Sequence, residues 1–354
     1  MKKKTAALLM TAAMTVAALG GCGNADKAGE NMTAATEESA SGTGAVYKVG
    51  IVQFVDDASL NQIEAAIEKE LDAKAAELGV TFNYGDYTYN GQADSTVLNQ
   101  IASELVASEV DVIVPIATPA AMIMQNATEE NQIPVVFSAV SDPVGAGLVA
   151  GMDAPGSNIT GTSDALNTDA VMDLIFAADP DIKTVGLLYN KSEDASKAPV
   201  EAAKAYCAAK GVNVIEKTGT TNDEISLAAD ALIAGGAEAV FTPTDNTVMT
   251  AELAIYEKFI EAGVPHYGGA DSFALNGAFL GYGVNYEELG TATADMIVTI
   301  LVNGADPATT AVVTLDNGIA TVNTETAEAI GLDYSMFADM CTALKEIVTA
   351  EEFE

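Results

Sequence analysis

From residue 47 onward, short runs of β-branched residues alternate with alanine-rich segments whose apolar positions recur at helical spacing. The runs predict strands over 49–54, 81–87, 112–116 and 135–138. The segments between them predict helices over 61–78, 95–108 and 119–128, the first ended by Gly79. Such alternation is the pattern of an α/β fold, in which helices flank parallel sheets. The series then begins again. Val49-Gly50-Ile51-Val52 ahead of Asp56-Asp57-Ala58-Ser59 is matched by Val185-Gly186-Leu187-Leu188 ahead of Glu193-Asp194-Ala195-Ser196. Thr118-Pro119 after a strand is matched by Thr242-Pro243, and Ile133-Pro134 by Val264-Pro265. Cues repeated in one order predict two similar lobes, each a parallel sheet flanked by helices, with a hinge and a cleft between them.

Past Ala278 the pattern predicts a strand over 279–283, a helix over 286–303, a strand pair within 311–322 and helices to the C-terminus. A third return between lobes fits that remainder. Residues 46–160 and 280–304 then form the first lobe, and 161–279 and 305–354 the second. The C-terminal ends of both sheets face the cleft, the edge at which open parallel sheets bind ligands.

The N-terminus has a different character. Lys2-Lys3-Lys4, an apolar stretch over 6–19 and Leu19-Gly20-Gly21-Cys22 read as a secretion signal, too short in its apolar part to span a bilayer. Residues 1–22 resemble the signal and lipobox of bacterial lipoproteins. That resemblance implies a diacylated Cys22 that anchors the chain to the outer face of the bacterial cytoplasmic membrane. Residues 23–45, rich in Gly, Ser, Thr, Ala and Glu, read as a flexible tether.

Charge narrows the partners. The 354 residues carry 15 basic and 51 acidic side chains, a net charge of −36, so nucleic acid and anionic lipid headgroups are poor partners. The sequence contains no arginine, no tryptophan and one histidine, His266. A carboxylate or phosphate ligand must therefore be held by backbone amides, hydroxyls or lysine, without the guanidinium fork. Beyond Cys22, Cys207 and Cys341 lie in apolar helical contexts and are expected as buried free thiols.

No catalytic constellation stands out. There is no G-x-S-x-G elbow, phosphate loop, G-x-G-x-x-G after the first strand, or metal-binding cluster of Cys or His. His266 beside Pro265 reads as a packed loop residue. The expectation is a binding protein, with no enzyme activity, cofactor or metal. Polar residues at strand ends are the candidates for its site. Thr118 and Pro119 open a helix whose free N–H groups could meet an anion. Asp142 ends a turn and could receive an ammonium group, or simply start the turn. Asp245, Asn246 and Asp271 occupy strand ends in the second lobe. Gln53 with Phe54, and Tyr189 with Asn190, end equivalent strands, where an aromatic ring could stack on a planar ligand or pack in the core.

At these residues the chain resembles the tryptophan/tyrosine-type ABC transporter substrate-binding lipoproteins, which have the class I periplasmic-binding-protein fold. The matching stretches include VGIVQFVDDASL (49–60), IVPIATPAAM (113–122), IPVVFSAVSDPVGAGLV (133–149), GSNITGTSDAL (156–166), VGLLYNKSEDAS (185–196), FTPTDNTV (241–248), GVNYEELG (283–290) and VNTETAEAIGL (322–332). The resemblance implies capture of a free amino acid, often aromatic, for delivery to an ABC permease with its cytoplasmic ATPase, by a protein expected to be a monomer. It implies Ala117, Thr118 and Ser138 at the ligand carboxylate, and Asp142, Asp245 or Asp271 at its ammonium, with Asn246, Asn190 and Asp164 nearby. Gln53, Phe54 and Tyr189 would line the side-chain end. The alternatives are a sensor lipoprotein that presents ligand to a membrane kinase, or a binder of a nucleoside or sugar. Sugar sites of this fold commonly use tryptophan and arginine, and both are missing here.

Overall fold

A computed structural model describes residues 44–350 and 352. The signal segment with Cys22, and most of the expected tether, lie outside them. Among the described residues no helix is long and apolar enough to cross a membrane.

The first lobe starts with β1 (Val46–Gln53), whose last five residues are buried, as an interior parallel strand requires. It leads into α1 (Ala58–Leu78), capped by the Asp57 carboxylate on the N–H groups of Ser59 and Leu60 and ended by Gly79 at φ 67°. There follow β2 (Thr81–Asn83), β3 (Thr88–Asn90), α2 (Ser95–Ala107), β4 (Val112–Ile116), α3 (Thr118–Thr128), β5 (Val135–Phe137) and β6 (Ile159–Ser163). Their order in the sheet is β6-β5-β4-β1-β2, with β3 also beside β1.

The helix α4 (Thr168–Ala178) leads into the second lobe. Its elements are β7 (Thr184–Tyr189), α5 (Asp194–Lys210), β8 (Asn213–Thr218), α6 (Asn222–Ala234), β9 (Ala239–Thr242), α7 (Asn246–Ala262), β10 (His266–Gly268), α8 (Asp271–Leu275) and β11 (Leu280–Gly283). The order β11-β10-β9-β7-β8 repeats the first sheet strand for strand. The duplication expected from the sequence is thus present as two α/β lobes.

The chain then crosses back. Helix α9 (Tyr286–Leu301) returns to the first lobe, β12 (Val313–Thr314) pairs beside β6, and β13 (Ile319–Asn323) runs antiparallel to β11 in the second sheet. The chain ends in α10 (Thr324–Ile330) and β14 (Ala343–Ile347), parallel to β13. Asn317 laces two crossings together: its Nδ2 donates to the Ala165 carbonyl (2.6 Å) and its Oδ1 accepts from the Asn167 N–H (3.2 Å). Gly318 N–H donates to the Gly283 carbonyl at 3.1 Å and ties in the remaining one.

Several elements differ from the sequence reading. Gly85 and Asp86 break the expected strand 81–87 into β2 and β3. The expected strand pair within 311–322 is split between the two sheets, because the segment between its halves is a crossing rather than a hairpin. Residues 280–283 pair in the second sheet and 313–314 in the first, so the crossings fall after 163, 283 and 314. The expected terminal helices include β14, a partly exposed edge strand whose Leu, Lys, Glu and Ala have helical propensity while its pairing with β13 decides its state. Cys207 is a buried free thiol, pushed up to about 11 by burial, whereas Cys341 is free but only half-buried. His266 belongs to β10, buried between the Glu252 carboxylate (3.0 Å) and the Thr242 hydroxyl (2.8 Å).

Packing of α9 on α1 holds the head of α9 at the cleft. The contact is close because Gly290 has no side chain: a Cβ there would lie 2.5 Å from the Ile63 carbonyl oxygen and 2.7 Å from the Ala66 Cβ. Gly290→Ala is therefore expected to push the helices apart at a cost of about 1–3 kcal/mol. A lowered Tm in a thermal melt checks this; an unchanged Tm would show that the contact relaxes freely.

Candidate ligand-binding site

The strands end in a cleft whose walls touch. Ser59 Oγ, on α1, donates to Asp271 Oδ1 in the second lobe at 2.5 Å and accepts from the Ser272 N–H at 3.1 Å. Gln62 Nε2 donates to Asp271 Oδ2 at 3.1 Å, and the Ser141 and Thr244 hydroxyls lie 2.8 Å apart across the cleft. The lobes are therefore closed. Between them is a small cavity with about 20 Å³ of free space, lined by Ser59, Leu60, Ala117, Thr118, Ala139, Ser141 and Asp164 on one side. Ala195, Thr244, Asn246, Met249 and Ala270 line the other, and Tyr286 at the head of α9 completes the lining.

One wall is built to receive an anion. Helix α3 has no side-chain cap, because its N-cap is Ala117, held at φ 80°. Ala139, also in the lining, has φ 53°, and the Ala117 N–H donates to the Ser138 carbonyl between them. Two non-glycine residues in this uncommon region, side by side at a cavity, mark stored strain of the kind found at binding sites. The helical ladder leaves the N–H groups of Thr118 and Ala120 without intrahelical partners, at the positive end of the helix dipole. The buried Thr118 hydroxyl, in the same wall, has no hydrogen-bond partner among the described residues. The second lobe has no such opening: Glu193 accepts from the N–H groups of Asn246 and Thr247 and from both of their side chains. The head of α7 is already neutralised by the protein itself.

The other feature is uncompensated negative charge. Asp164 accepts from the Ser141 hydroxyl at 2.9 Å, and burial pushes its carboxyl up to about 6. Asp57 is raised to about 7 by burial, against the N–H groups it caps, and the Asp271 charge adds to the rise. Asp271 is itself raised by burial; Lys345 lowers it slightly, and among the described residues no lysine acts on Asp57 or Asp164. All three carboxylates bear on the Tyr286 hydroxyl, which burial first and then their charges hold well above its ordinary value. A buried carboxylate without a cation is a receptor for one.

Of the twelve residues expected from the sequence, Ala117, Thr118, Asp164 and Asn246 line this cavity, and Asp271 bounds it through Ser59. The others are engaged elsewhere. Gln53 donates to the Val55 carbonyl and to Asn61 Oδ1, and Phe54 packs against the first-lobe core. Ser138 joins Thr162 and Thr293 in a buried hydroxyl cluster that pins α9 to the first sheet. Asp142 accepts from the Gly145 N–H at 2.7 Å and so closes its own turn. Tyr189 donates to Glu216 at 2.9 Å, away from the cavity. Asp245 accepts from Asn190 N–H, Ser196 Oγ and Val248 N–H, which occupies both its oxygens, and Asn190 Nδ2 donates to Thr247. Burial and the neighbouring Glu193 charge raise Asp245, which makes it a structural acid of its own lobe.

Sequence reasoning missed Asp57, Ser59, Ser141, Thr244, Met249 and Tyr286. Asp57 and Ser59 stand in the DDAS stretch already singled out by the repeat, and an Asp two residues ahead of a Ser is a cap signal. Tyr286 has no local signal, since only the return of α9 brings it to the cleft.

A tyrosine-binding protein of Clostridioides difficile (strain R20291) is 31% identical over 330 residues, 93% of each chain. An ABC domain in complex with L-Trp from Streptococcus pneumonia is 31% identical, with a TM-score of 0.77 over 85% of this chain and 100% of that one. The ligand-free, open structure of a substrate-binding protein with adhesive properties from Clostridium difficile is also 31% identical, over 86% of this chain and 100% of that one, but its TM-score is 0.65. At equal identity the present structure superposes better on the complex, in keeping with lobes in contact. A family model described as ABC transporter substrate binding protein matches residues 48–336. With that match across both lobes and their shared cavity, the chain belongs to the ABC transporter substrate-binding protein family.

Proposed function

We propose that this chain is the solute-binding component of an ABC importer and captures a free amino acid, aromatic in class, by lobe closure. Proteins of this family work outside the cytoplasmic membrane and bind solutes without transforming them. One observation carries the reading: an uncapped helix head with an unpartnered hydroxyl shares a cavity with a buried carboxylate that lacks a cation. A zwitterion satisfies both. Its carboxylate meets the N–H groups of Thr118 and Ala120 and the Thr118 hydroxyl, and its ammonium meets Asp164, whose only side-chain partner is Ser141. The tyrosine-binding relative and the L-Trp complex support the aromatic class. Cys22 and the segment before it support a lipid anchor, and an ABC permease with its ATPase is the partner that reads the closed form.

Ligand contacts from both lobes favour the closed state; moving a mostly open population to mostly closed takes roughly 10⁴-fold preference. Thr118→Val is expected to leave the ligand-free Tm unchanged or raised, because it removes a buried hydroxyl that has no partner. It is expected to weaken binding roughly tenfold, the worth of one hydrogen bond to a charged group. Calorimetric titration checks it; wild-type affinity would take the hydroxyl out of the site. The reading as a whole is tested by a thermal-shift screen against the twenty amino acids, nucleosides and sugars. A shift confined to tryptophan, tyrosine or phenylalanine is expected. A shift with sugars or nucleosides alone would overturn the amino-acid reading.

A further inference from the structure

The second lobe holds a buried chain of polar groups outside the ligand cavity. Thr242 on β9, Glu252 on α7 and His266 on β10 are each no more than 1% exposed. The imidazole stands between the other two, with Nε2 2.8 Å from the Thr242 hydroxyl and Nδ1 3.0 Å from Glu252 Oε1. Phe259 and Phe273 pack on the ring at centroid distances of 5.0 and 5.9 Å. Acid, imidazole and hydroxyl in series is the order of a nucleophilic triad, but the space beside the ring has no water-sized volume, so no substrate reaches it. The burial is also costly, because Glu252 Oε2 has no hydrogen-bond partner among the described residues. Packed apolar residues commonly replace a buried polar pair without loss of stability, so stability alone does not account for this chain.

Its three members stand on three elements that build the second-lobe wall of the cavity. Thr244 follows Thr242 by two residues, and Ala270 follows His266 by four. Met249 lies one turn before Glu252 on the same face of α7, and Asn246 stands at the head of that helix. Thr244, Asn246, Met249 and Ala270 all line the cavity. We infer that Thr242, Glu252 and His266 are positioning residues of the ligand site: one hydrogen-bonded chain fixes β9, α7 and β10 against one another, and with them the wall that closes on the ligand. This rests on the cavity being the amino-acid site proposed above. Hydrogen bonds are directional and set the relative depth of the three elements, whereas apolar side chains of similar volume keep a core folded while its unique arrangement is lost.

Two variants separate positioning from packing. Thr242→Val/Glu252→Met/His266→Leu replaces the chain with apolar groups of similar volume. Glu252→Gln keeps an acceptor oxygen for the imidazole N–H and adds a buried amide N–H group without a partner. Thermal melts of the ligand-free proteins are read beside calorimetric titrations with tyrosine and tryptophan. The triple variant is expected to melt no lower than wild type and to bind about tenfold or more weakly, the scale on which outer-shell partners act at metal sites. Glu252→Gln is expected to melt lower and yet bind with an affinity close to that of wild type. Affinity would follow the melting temperature if the chain only packed. Wild-type affinity in a folded triple variant would therefore overturn the inference and leave the amino-acid reading standing, as would an equally large loss of affinity in folded Glu252→Gln, which decides alone if the triple variant does not fold. A wild-type protein that binds neither amino acid would overturn both.

Discussion

Asp164→Asn is expected to weaken amino-acid binding by at least a hundredfold while leaving the ligand-free fold intact. The asparagine keeps a carbonyl oxygen for the Ser141 hydroxyl and removes a charge that has no cation beside it. Because burial already disfavours the ionised form, the ligand-free Tm at pH 7 should hold or rise. Binding suffers because the ligand ammonium would then be buried against a neutral amide. Breaking a buried pair by removing one partner costs about 3–5 kcal/mol, and each 1.4 kcal/mol is about tenfold in affinity. Calorimetric titration and a melt on the same preparation separate the two effects. Wild-type affinity in a folded Asp164→Asn protein would move the ammonium to Asp57 or Asp271.

Affinity should also fall on acidification, by about tenfold between pH 8 and pH 5 if Asp164 alone must ionise. Its carboxyl is raised from 3.8 to about 6 in the folded, ligand-free protein. A raised acid binds more protons folded than unfolded, so its contribution to stability is full below 3.8 and is lost as pH rises through 6. Asp57, raised to about 7 on the same side of the cleft, and Asp271 on the facing side act in the same direction, with Tyr286 neutral and Lys345 opposing weakly at Asp271. An ammonium reverses the balance: it favours the ionised carboxylate, so below pH 6 binding must release a proton. Titrations from pH 5 to pH 8 should show the fall in wild type and a flatter profile in Asp164→Asn. A flat profile in both proteins would mean that no cleft carboxylate titrates on binding.

The lobes were legible because each repeats strand, helix and turn signals in a fixed order, and those signals are local. The strand over 112–116 and the helix beginning at Thr118-Pro119 appear where the pattern puts them, and with them the uncapped helix head at the cavity. The acids were harder to read. Asp142, Asp164, Asp245 and Asp271 all stand near strand ends, and sequence cannot tell an acid whose oxygens are filled by its own backbone from one left open. Asp142 is filled by Gly145, and Asp245 by Asn190, Ser196 and Val248; Asp164 has only the Ser141 hydroxyl as a side-chain partner. Phe54 and Tyr189 pose a related difficulty, since aromatic residues at strand ends serve a core as readily as a ligand. Ser59 and Thr244 come from different lobes to line one cavity, and such a juxtaposition leaves no trace in periodicity.

The central claim is that one closed cavity holds both charges of an amino acid, the carboxylate at the head of α3 and the ammonium at Asp164. Calorimetric titration of the protein with tyrosine, tyrosinamide and N-acetyltyrosine tests it most directly, because the two derivatives each remove one charge and keep the ring. Binding of tyrosine with at least a hundredfold loss for each derivative is the predicted result. Binding of either derivative as tightly as tyrosine would contradict the account.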